Sequence, residues 1–281
     1  MVKRQFFLED EWLYLKIYAG IKISDILLEV AIIPVIEWCK ERNYISQFFF
    51  IRYNDPKPHI RLRIKLKNTK SYNEVLNKAS NVFKKFIDSG EISNISVDVY
   101  NREVERYGQN TIEDAEALFC INSEYTLQCL HFDDEEKIIV SLFYIDEVLN
   151  RINLNIQEKL EWIKVFNDAF KKEFNADKKL NSQLDRKYRE FKPKFIDFLK
   201  SEEFSEERHF LISNVEESAA VLQNIKFHND NKSLEIPLHT FFQSIFHMNI
   251  NRLFVSNQRV FEMVIYDYLV RYYKTIAYRS L

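Results

Sequence analysis

A run of alternating charged and apolar residues, His59-Ile60-Arg61-Leu62-Arg63, is the strongest chemical signal in the sequence. Side chains alternate across a β-strand, so the histidine and both arginines share one face. Two guanidinium groups can hold a carboxylate through paired hydrogen bonds. This face is therefore a candidate anion-binding surface, although alternating charge is also common on strands whose outer face is simply solvated.

A second candidate segment runs from Tyr100 to Gly108. If it is helical, Arg106 lies beside both Arg102 and Glu103. A carboxylate next to a guanidinium can orient it or act as a base, and the glycine permits a sharp turn afterwards. A surface ion-pair cluster with little effect on stability would have the same spacing, so the residue types alone leave both interpretations open.

The third segment contains His247 and Asn251, four residues apart and followed by Arg252. This spacing places the histidine and the asparagine on one face of a predicted helix. Histidine is the natural proton carrier near neutral pH, but a core histidine bonded to a neighbour would fit the same pattern. No set of His, Cys or carboxylates has metal-ligand spacing, so neither a metal nor another cofactor is predicted.

Composition excludes several classes of protein. The chain has 281 residues, a net charge of −2 and three glycines, which argues against a general nucleic-acid-binding domain and a Gly-rich phosphate loop. Cys39, Cys120 and Cys129 match neither a disulfide framework nor a zinc site. The longest apolar stretch contains Glu29 and Pro34 and is too short to span a bilayer. We expect a soluble cytoplasmic protein without a signal peptide.

The order of predicted elements gives an α+β fold, a strand-rich part at about residues 1–110 with an antiparallel sheet packed on a mainly helical part at about 111–281. We treat the whole as a single domain, 1–281. Strands are predicted at residues 11–18, 46–53, 59–66 and 92–100. Helices are predicted at 24–42 with a kink at Pro34, from Ser71 to a stop at Gly90, from Thr111 to about 131, and at 132–150, 156–174, 180–199, 237–254 and 257–278. Ser24, Ser71 and Thr111 are the predicted caps, and residues 201–207 and 229–233 the predicted exposed loops.

The three candidate segments, together with several other motifs, occur in a fixed order along residues 11–278. The motifs are Trp12 to Gly20, Phe49 to Tyr53, Asp55-Pro56, Pro58 to Arg63, Tyr100, Arg102-Glu103, Glu105 to Gly108, Glu116, Leu118-Phe119, Ser123-Glu124, His247-Met248 and Asn251-Arg252. Together they resemble the C-terminal glutamate-elimination domain of class I lanthipeptide dehydratases, which also occurs free-standing as the thiopeptide-type bacteriocin biosynthesis protein. The resemblance implies the same α+β scaffold.

The resemblance also implies a chemistry. In such dehydratases a separate domain esterifies peptide Ser or Thr with glutamate from glutamyl-tRNA, and the elimination domain expels the glutamate to leave dehydroalanine or dehydrobutyrine. The resemblance assigns catalytic roles to five residues. Arg61 and Arg63 would hold the glutamyl group, and Glu103 would orient Arg106. His247 would move the proton. The implied substrate-binding residues are His59, Arg52, Arg102, Asn251 and Arg252.

The chain has no room for the larger glutamylation domain, so we expect it neither to esterify peptides nor to bind tRNA. The implied partners are a glutamylated, ribosomally made precursor peptide, a separate glutamylation enzyme and a cyclase. A homodimer is expected on other grounds, because the sequence has 24 Phe and 15 Tyr and aromatic-rich surfaces often associate. Gln109 stands where the family pattern has a second glycine, which affects the expected turn geometry.

Two alternatives stay open. Free-standing relatives in thiopeptide pathways join two dehydroalanines in a formal 4+2 cycloaddition that forms a pyridine, but they often lose the arginines of the elimination site. Because Arg61, Arg63, Glu103, Arg106 and His247 are present, elimination is favoured. The other alternative is a non-catalytic subunit whose basic strand face grips an acidic or glutamylated peptide.

Overall fold

The computed structural model describes residues 2–279 of the chain, which fall into two compact units. The first unit comprises the described residues of Met1–His131 and Phe227–Ser256, and the second those of Phe132–Lys226 and Asn257–Leu281. The strands are β1 (Gln5–Phe6), β2 (Trp12–Ala19), β3 (Ile45–Tyr53), β4 (His59–Leu66), β5 (Ile92–Val97) and β6 (Tyr100–Asn101). The helices are α1 (Ser24–Leu27), α2 (Ile33–Glu41), α3 (Tyr72–Asp88), α4 (Val104–Tyr107), α5 (Ile112–Gln128), α6 (Asp134–Arg151), α7 (Ile156–Glu173), α8 (Lys178–Lys200), α9 (Ser205–Glu217), α10 (Ala219–Asp230), α11 (Leu238–Leu253) and α12 (Gln258–Arg279).

The first unit is built on an antiparallel sheet in the order β3-β4-β2-β5, with β1 and β6 as a separate antiparallel pair. The predicted α+β class and antiparallel sheet are confirmed. The predicted strand at residues 92–100 is divided, since β5 ends at Val97 and Tyr100 pairs with Phe6 on β1. Helices α5 and α11 both pack against β3, so α11 belongs to this unit although it is distant in sequence.

The two faces of the sheet differ in composition. One face carries buried aliphatic and aromatic side chains of β2, β3 and β4, which form a core with α2 and α3. The residues that alternate with them make up the opposite face, which we call the cationic face. It includes Tyr14, Lys16, Tyr18, Phe49, Tyr53, His59, Arg61, Arg63 and Lys65. The alternation predicted for β4 is thus confirmed, with its apolar residues in the core.

The predicted helix at 24–42 forms, but its start and middle differ from the prediction. The Ser24 hydroxyl makes no cap and instead accepts a hydrogen bond from Arg52. A π-helical stretch, Leu28–Ile32, lies between α1 and α2, directly ahead of Pro34. Proline lacks the N–H of a regular helical bond, which accounts for a change of helix type there, whereas the predicted kink itself stays a prediction.

The two predicted capping boxes of the first unit are wrong, although both helices begin close to the expected position. The Ser71 hydroxyl donates to the backbone oxygen of Asn68 at 2.7 Å, and the Thr111 hydroxyl donates to the backbone oxygen of Tyr107. Neither side chain therefore accepts from the helix that follows. The predicted stop at Gly90 is confirmed, because α3 ends two residues earlier and Gly90 has φ +84°.

The second unit consists of helices, in which α12 packs against α6, α7 and α8. The predicted loop at residues 201–207 is wrong, because a 3-10 turn, Glu202–Phe204, continues into α9. Its charged residues lie on exposed positions of a helix whose other side buries Leu211 and Val215. The predicted loop at 229–233 begins two residues later, since α10 extends to Asp230. Within residues 2–279, no helix has the length and apolar character needed to cross a membrane.

Candidate active site

Arg63 lies in a cage of aromatic rings on the cationic face. The strand register places it opposite Tyr14 on β2 and Phe49 on β3. Its Cζ lies 4.5 Å from the Tyr14 ring centre, 5.2 Å from that of Phe49 and 4.8 Å from that of Tyr100. Ring faces attract a guanidinium, so the cage stabilises the charge without occupying its hydrogen-bond donors. The Nε of Arg63 is buried and has no hydrogen-bond partner within the described chain.

Arg63 forms part of the wall of a small solvent-open cleft in the first unit, with a cavity volume of about 30 Å³. The cleft is bounded by the sheet, by the segment around β6 and α4, and by α11. Its lining residues are Phe49, Ile51, Arg63, Tyr100, Asn101, Glu103, Tyr107, Ile112, Phe119 and Met248. Two predicted site residues, Arg63 and Glu103, therefore share one cleft.

Glu103 and Arg106 form an ion pair at the open side of this cleft. The Arg106 Nη1 and Glu103 Oε2 atoms are 3.2 Å apart, and about half of each side chain is exposed. Their predicted adjacency is confirmed, in a one-turn helix ended by Gly108 with φ +77°. The neighbouring Tyr107 is buried, and burial raises the pKa of its hydroxyl, which therefore stays protonated at neutral pH. Glu103 and Tyr107 therefore line the cleft, and the ion pair holds the Arg106 guanidinium next to Glu103.

His247 lies on α11, half-buried and directly before Met248, which lines the cleft. The predicted helix and the shared face with Asn251 are confirmed. Asn251 Oδ1 accepts from the Arg52 backbone N–H and its Nδ2 donates to the Arg52 backbone oxygen, each at 2.9 Å. The asparagine thus pairs with the edge of β3 as a neighbouring strand would. These bonds hold α11 against the sheet and thereby fix the position of His247.

The other predicted ligands are held by contacts inside the protein. Arg252 Nε donates to the Phe50 backbone oxygen at 2.8 Å, and Arg52 Nε donates to the Arg252 backbone oxygen at 2.8 Å. Arg102 binds both oxygens of the fully buried Glu116, at 2.7 and 2.6 Å. In each case the guanidinium is buried and hydrogen-bonded to groups of the protein itself. We therefore do not carry Arg52, Arg102, Asn251 and Arg252 forward as substrate ligands.

Arg61 and His59 form a second cluster on the cationic face. Arg61 Nε donates to His59 Nε2 at 3.0 Å, and the Arg61 Cζ lies 3.4 Å from the ring centre of Tyr53. His59 is 4% exposed and its ring lies between Tyr18 and Tyr53, at 4.7 and 5.4 Å between ring centres. Burial and the neighbouring cations lower the pKa of His59 from its usual 6.5.

Sequence reasoning missed the aromatic cage of Arg63. Alternation alone does not show that Tyr14 meets Arg63, because that contact depends on which strands pair and in which register. Phe49 and Tyr100 stood among the motifs of the resemblance without a role. Their contribution follows from an antiparallel register that places Tyr14 and Phe49 on either side of the arginine.

A caged cation with an unused donor, in a cleft beside an acid, is typical of a site that binds an anionic substrate group. A family model described as "Lantibiotic biosynthesis dehydratase C-term" matches residues 12–273. The chain belongs to this family, which is enzymatic and acts in the biosynthesis of lantibiotics.

Curated relatives agree with this assignment. The chain is 34% identical to the nisin biosynthesis protein NisB of Lactococcus lactis subsp. lactis over 54% of its residues. It is 27% identical to the subtilin biosynthesis protein SpaB of Bacillus subtilis over 62%, and 26% identical to the epidermin biosynthesis protein EpiB of Staphylococcus epidermidis over 88%. The matches span 17%, 18% and 24% of these relatives, so the chain corresponds to less than a quarter of each.

Solved structures share the fold. The tRNA-dependent lantibiotic dehydratase MibB from Microbispora sp. 107891 superposes with a TM-score of 0.73 at 15% identity, over 99% of this chain and 29% of that one. TsrL gives a TM-score of 0.65 at 13% identity, covering 96% and 95% of the two chains. The pyridine synthase TbtD from thiomuracin biosynthesis gives 0.60 at 10% identity, covering 95% and 100%.

Proposed function

We propose that this chain is a lyase that eliminates glutamate from glutamylated Ser or Thr residues of a ribosomally made precursor peptide. The product residues are dehydroalanine and dehydrobutyrine. One observation carries the proposal: Arg63 is buried in an aromatic cage, its Nε lacks a partner among the described residues, and it shares a cleft with Glu103. Membership in the lantibiotic dehydratase C-terminal family supports the same chemistry.

Elimination needs a base for the proton on Cα and a cationic environment for the group that leaves. In the proposed step, His247 takes the Cα proton, the electron pair of the C–H bond forms the Cα=Cβ double bond, and the Cβ–O bond breaks. The electrons of that bond leave with the carboxylate of the departing glutamate. Arg61 and Arg63 stabilise this charge and that of the enolate-like amide oxygen, because preorganised cations favour the transition state over the ground state.

Glu103 and Arg106 complete the site at its open side. The ion pair between them holds the guanidinium near the cleft, where it adds a further positive charge for the glutamyl group. Esterification of the peptide is supplied by a separate glutamylation protein, and a cyclase would act on the dehydrated product. The protein acts in the cytoplasm in this scheme.

The test uses a chemically or enzymatically pre-glutamylated peptide and mass spectrometry. Wild type should release glutamate and leave a peptide that is lighter by one water than the peptide before glutamylation. Arg63→Ala and His247→Ala should slow this elimination by about a hundredfold or more. Lys65→Ala is a matched control on the same face of β4, outside the cleft lining. Wild-type rates in both site variants would refute the assigned roles, and an inactive wild type would refute the function.

Pyridine formation is the second candidate, because the pyridine synthase TbtD matches over the whole of its own chain. This activity would join two dehydroalanines in a formal 4+2 cycloaddition. Incubation with a peptide that already contains dehydroalanines separates the two functions. Cycloaddition would release a cyclic product and the leader peptide, whereas the elimination proposed above would leave this peptide unchanged.

A further inference from the structure

His59 and Arg61 form a hydrogen bond whose direction is fixed by the surroundings. The His59 Nδ1 atom lies 2.8 Å from the backbone oxygen of Lys57, which can only accept a hydrogen bond. The proton of the imidazole must therefore sit on Nδ1. This leaves the lone pair on Nε2 to accept from the Arg61 Nε–H at 3.0 Å. Both contacts are satisfied by one species, the neutral imidazole with its proton on Nδ1.

Charged neighbours of this histidine favour the same neutral species. Arg61 and Lys16 both disfavour a positive charge on the ring, while Asp55 acts in the opposite direction with a smaller effect. Asp98, the other nearby carboxylate, is paired with Lys16. Tyr18 and Tyr53 cover the ring without adding charge, so burial is the largest influence on its pKa.

The hydrogen bond restricts the guanidinium of Arg61. One of its donors is bound to His59 and its plane stacks on Tyr53, with Cζ 3.4 Å from the ring centre. No internal hydrogen bond of the two terminal nitrogens appears in the described part of the chain. A guanidinium held at Nε with two free terminal nitrogens is organised to bind a carboxylate through parallel hydrogen bonds.

We propose that His59 is a positioning residue, which in its neutral Nδ1–H form fixes Arg61 as a fork for the glutamyl carboxylate of the substrate. This inference rests on the function proposed above, and it changes the role of His59 from substrate contact to support of Arg61. Protonation of His59 would place a hydrogen on Nε2 and remove the acceptor, leaving two positive charges in contact. Arg61 would then leave its position on Tyr53.

The proposal predicts a pH dependence of substrate binding. Because the pKa of His59 is lowered from 6.5, the histidine is neutral at pH 7 and above, and KM for the glutamylated peptide should be constant there. As the pH falls below the lowered pKa, KM should rise as the acceptor is lost. The rise in KM therefore belongs to the acid side of pH 6.5. KM is the parameter that reports His59, because kcat also depends on the proposed base His247.

Two variants separate positioning from a merely structural role. His59→Phe keeps a ring between Tyr18 and Tyr53 but has no acceptor, so its KM at pH 8 should rise about tenfold, the effect of losing one hydrogen bond to a charged group. His59→Gln supplies an acceptor that does not titrate, so it should keep a KM closer to wild type at pH 8 and lose the acid rise. Equal KM values in wild type and His59→Phe, or an acid rise retained in His59→Gln, would overturn the inference.

Nitrogen-15 NMR of the wild-type imidazoles tests the proposal without any turnover. His59 should show the shifts of an Nδ1–H, Nε2-acceptor ring at pH 8, and the Arg61 Nε–H should exchange slowly in wild type and faster in His59→Phe. An Nε2–H tautomer would refute the positioning role even if the enzyme eliminates glutamate. Correct tautomer and exchange with no elimination by wild type would instead refute the proposed function.

Discussion

Asn251→Ala should destabilise the first unit rather than weaken substrate binding. The wild-type side chain makes two hydrogen bonds of 2.9 Å to the backbone of Arg52, at the outer edge of β3. Each is worth about 1 kcal/mol, and leaving a partly buried N–H and C=O without partners adds about 1 kcal/mol or more. The free energy of unfolding should therefore fall by about 2–4 kcal/mol.

Urea denaturation followed by tryptophan fluorescence measures the free energy of unfolding of the first compact unit. The tryptophans are Trp12, Trp38 and Trp162, and the first two lie in the first unit. In a Trp162→Phe background the signal therefore reports that unit alone. Asn73→Ala is the matched control, because Asn73 is an exposed residue of α3 and its loss should change stability by about 0.5 kcal/mol or less.

Kinetics decide between the structural and the substrate-binding interpretation of Asn251. At temperatures where the variant is folded, KM for a glutamylated peptide should change much less than stability does. A variant as stable as wild type with a strongly raised KM would refute the reasoning, because it would mean that the amide contacts substrate and not the β3 backbone.

Two further stability predictions use the same fluorescence background. Glu116→Gln should lower the free energy of unfolding by about 3 kcal/mol, because it removes one charge of a buried pair and leaves the Arg102 guanidinium with only the exposed Glu113 as an ion-pair partner; a loss below 1 kcal/mol would contradict this. Gly108→Ala should cost about 1–2 kcal/mol, since Gly108 has φ +77° and an added Cβ would lie 3.0 Å from Thr111 Oγ1. Gly20→Ala is its control, because Gly20 has an extended backbone with no atom within 4 Å of an added Cβ, and equal losses in both variants would refute the strain argument.

Local patterns predicted the sheet better than they predicted helix starts. Alternation correctly assigned both faces of β4, because a strand between two neighbours must bury its apolar side. The caps failed for a physical reason: hydroxyls can donate as well as accept. At Ser71 and Thr111 the hydroxyl donates to a preceding backbone oxygen, a choice that residue type does not reveal.

The candidate site was predicted as a set of residues but not as a set of roles. Arg102 finds its carboxylate 14 positions away on α5, and Arg52 meets Asn251 across 199 positions. A single sequence carries no information on such pairings, so a buried structural arginine and a substrate-binding one look alike. The family resemblance grouped Arg63 and Glu103 in one candidate site. The tertiary fold was needed to set Arg52, Arg102 and Arg252 aside as substrate ligands.

Hydrogen-bond completeness is the property that separates Arg102 from Arg63. The guanidinium of Arg102 is satisfied by a carboxylate and a backbone oxygen, so a ligand there would have to displace existing bonds. Arg63 is almost as buried, yet its Nε is unpaired, which costs about 1–3 kcal/mol that rings around the charge offset in part. A carboxylate that reached this nitrogen would recover that cost. The cage is therefore better suited to binding an anion than to stabilising the fold, which is why the proposed chemistry centres on Arg63.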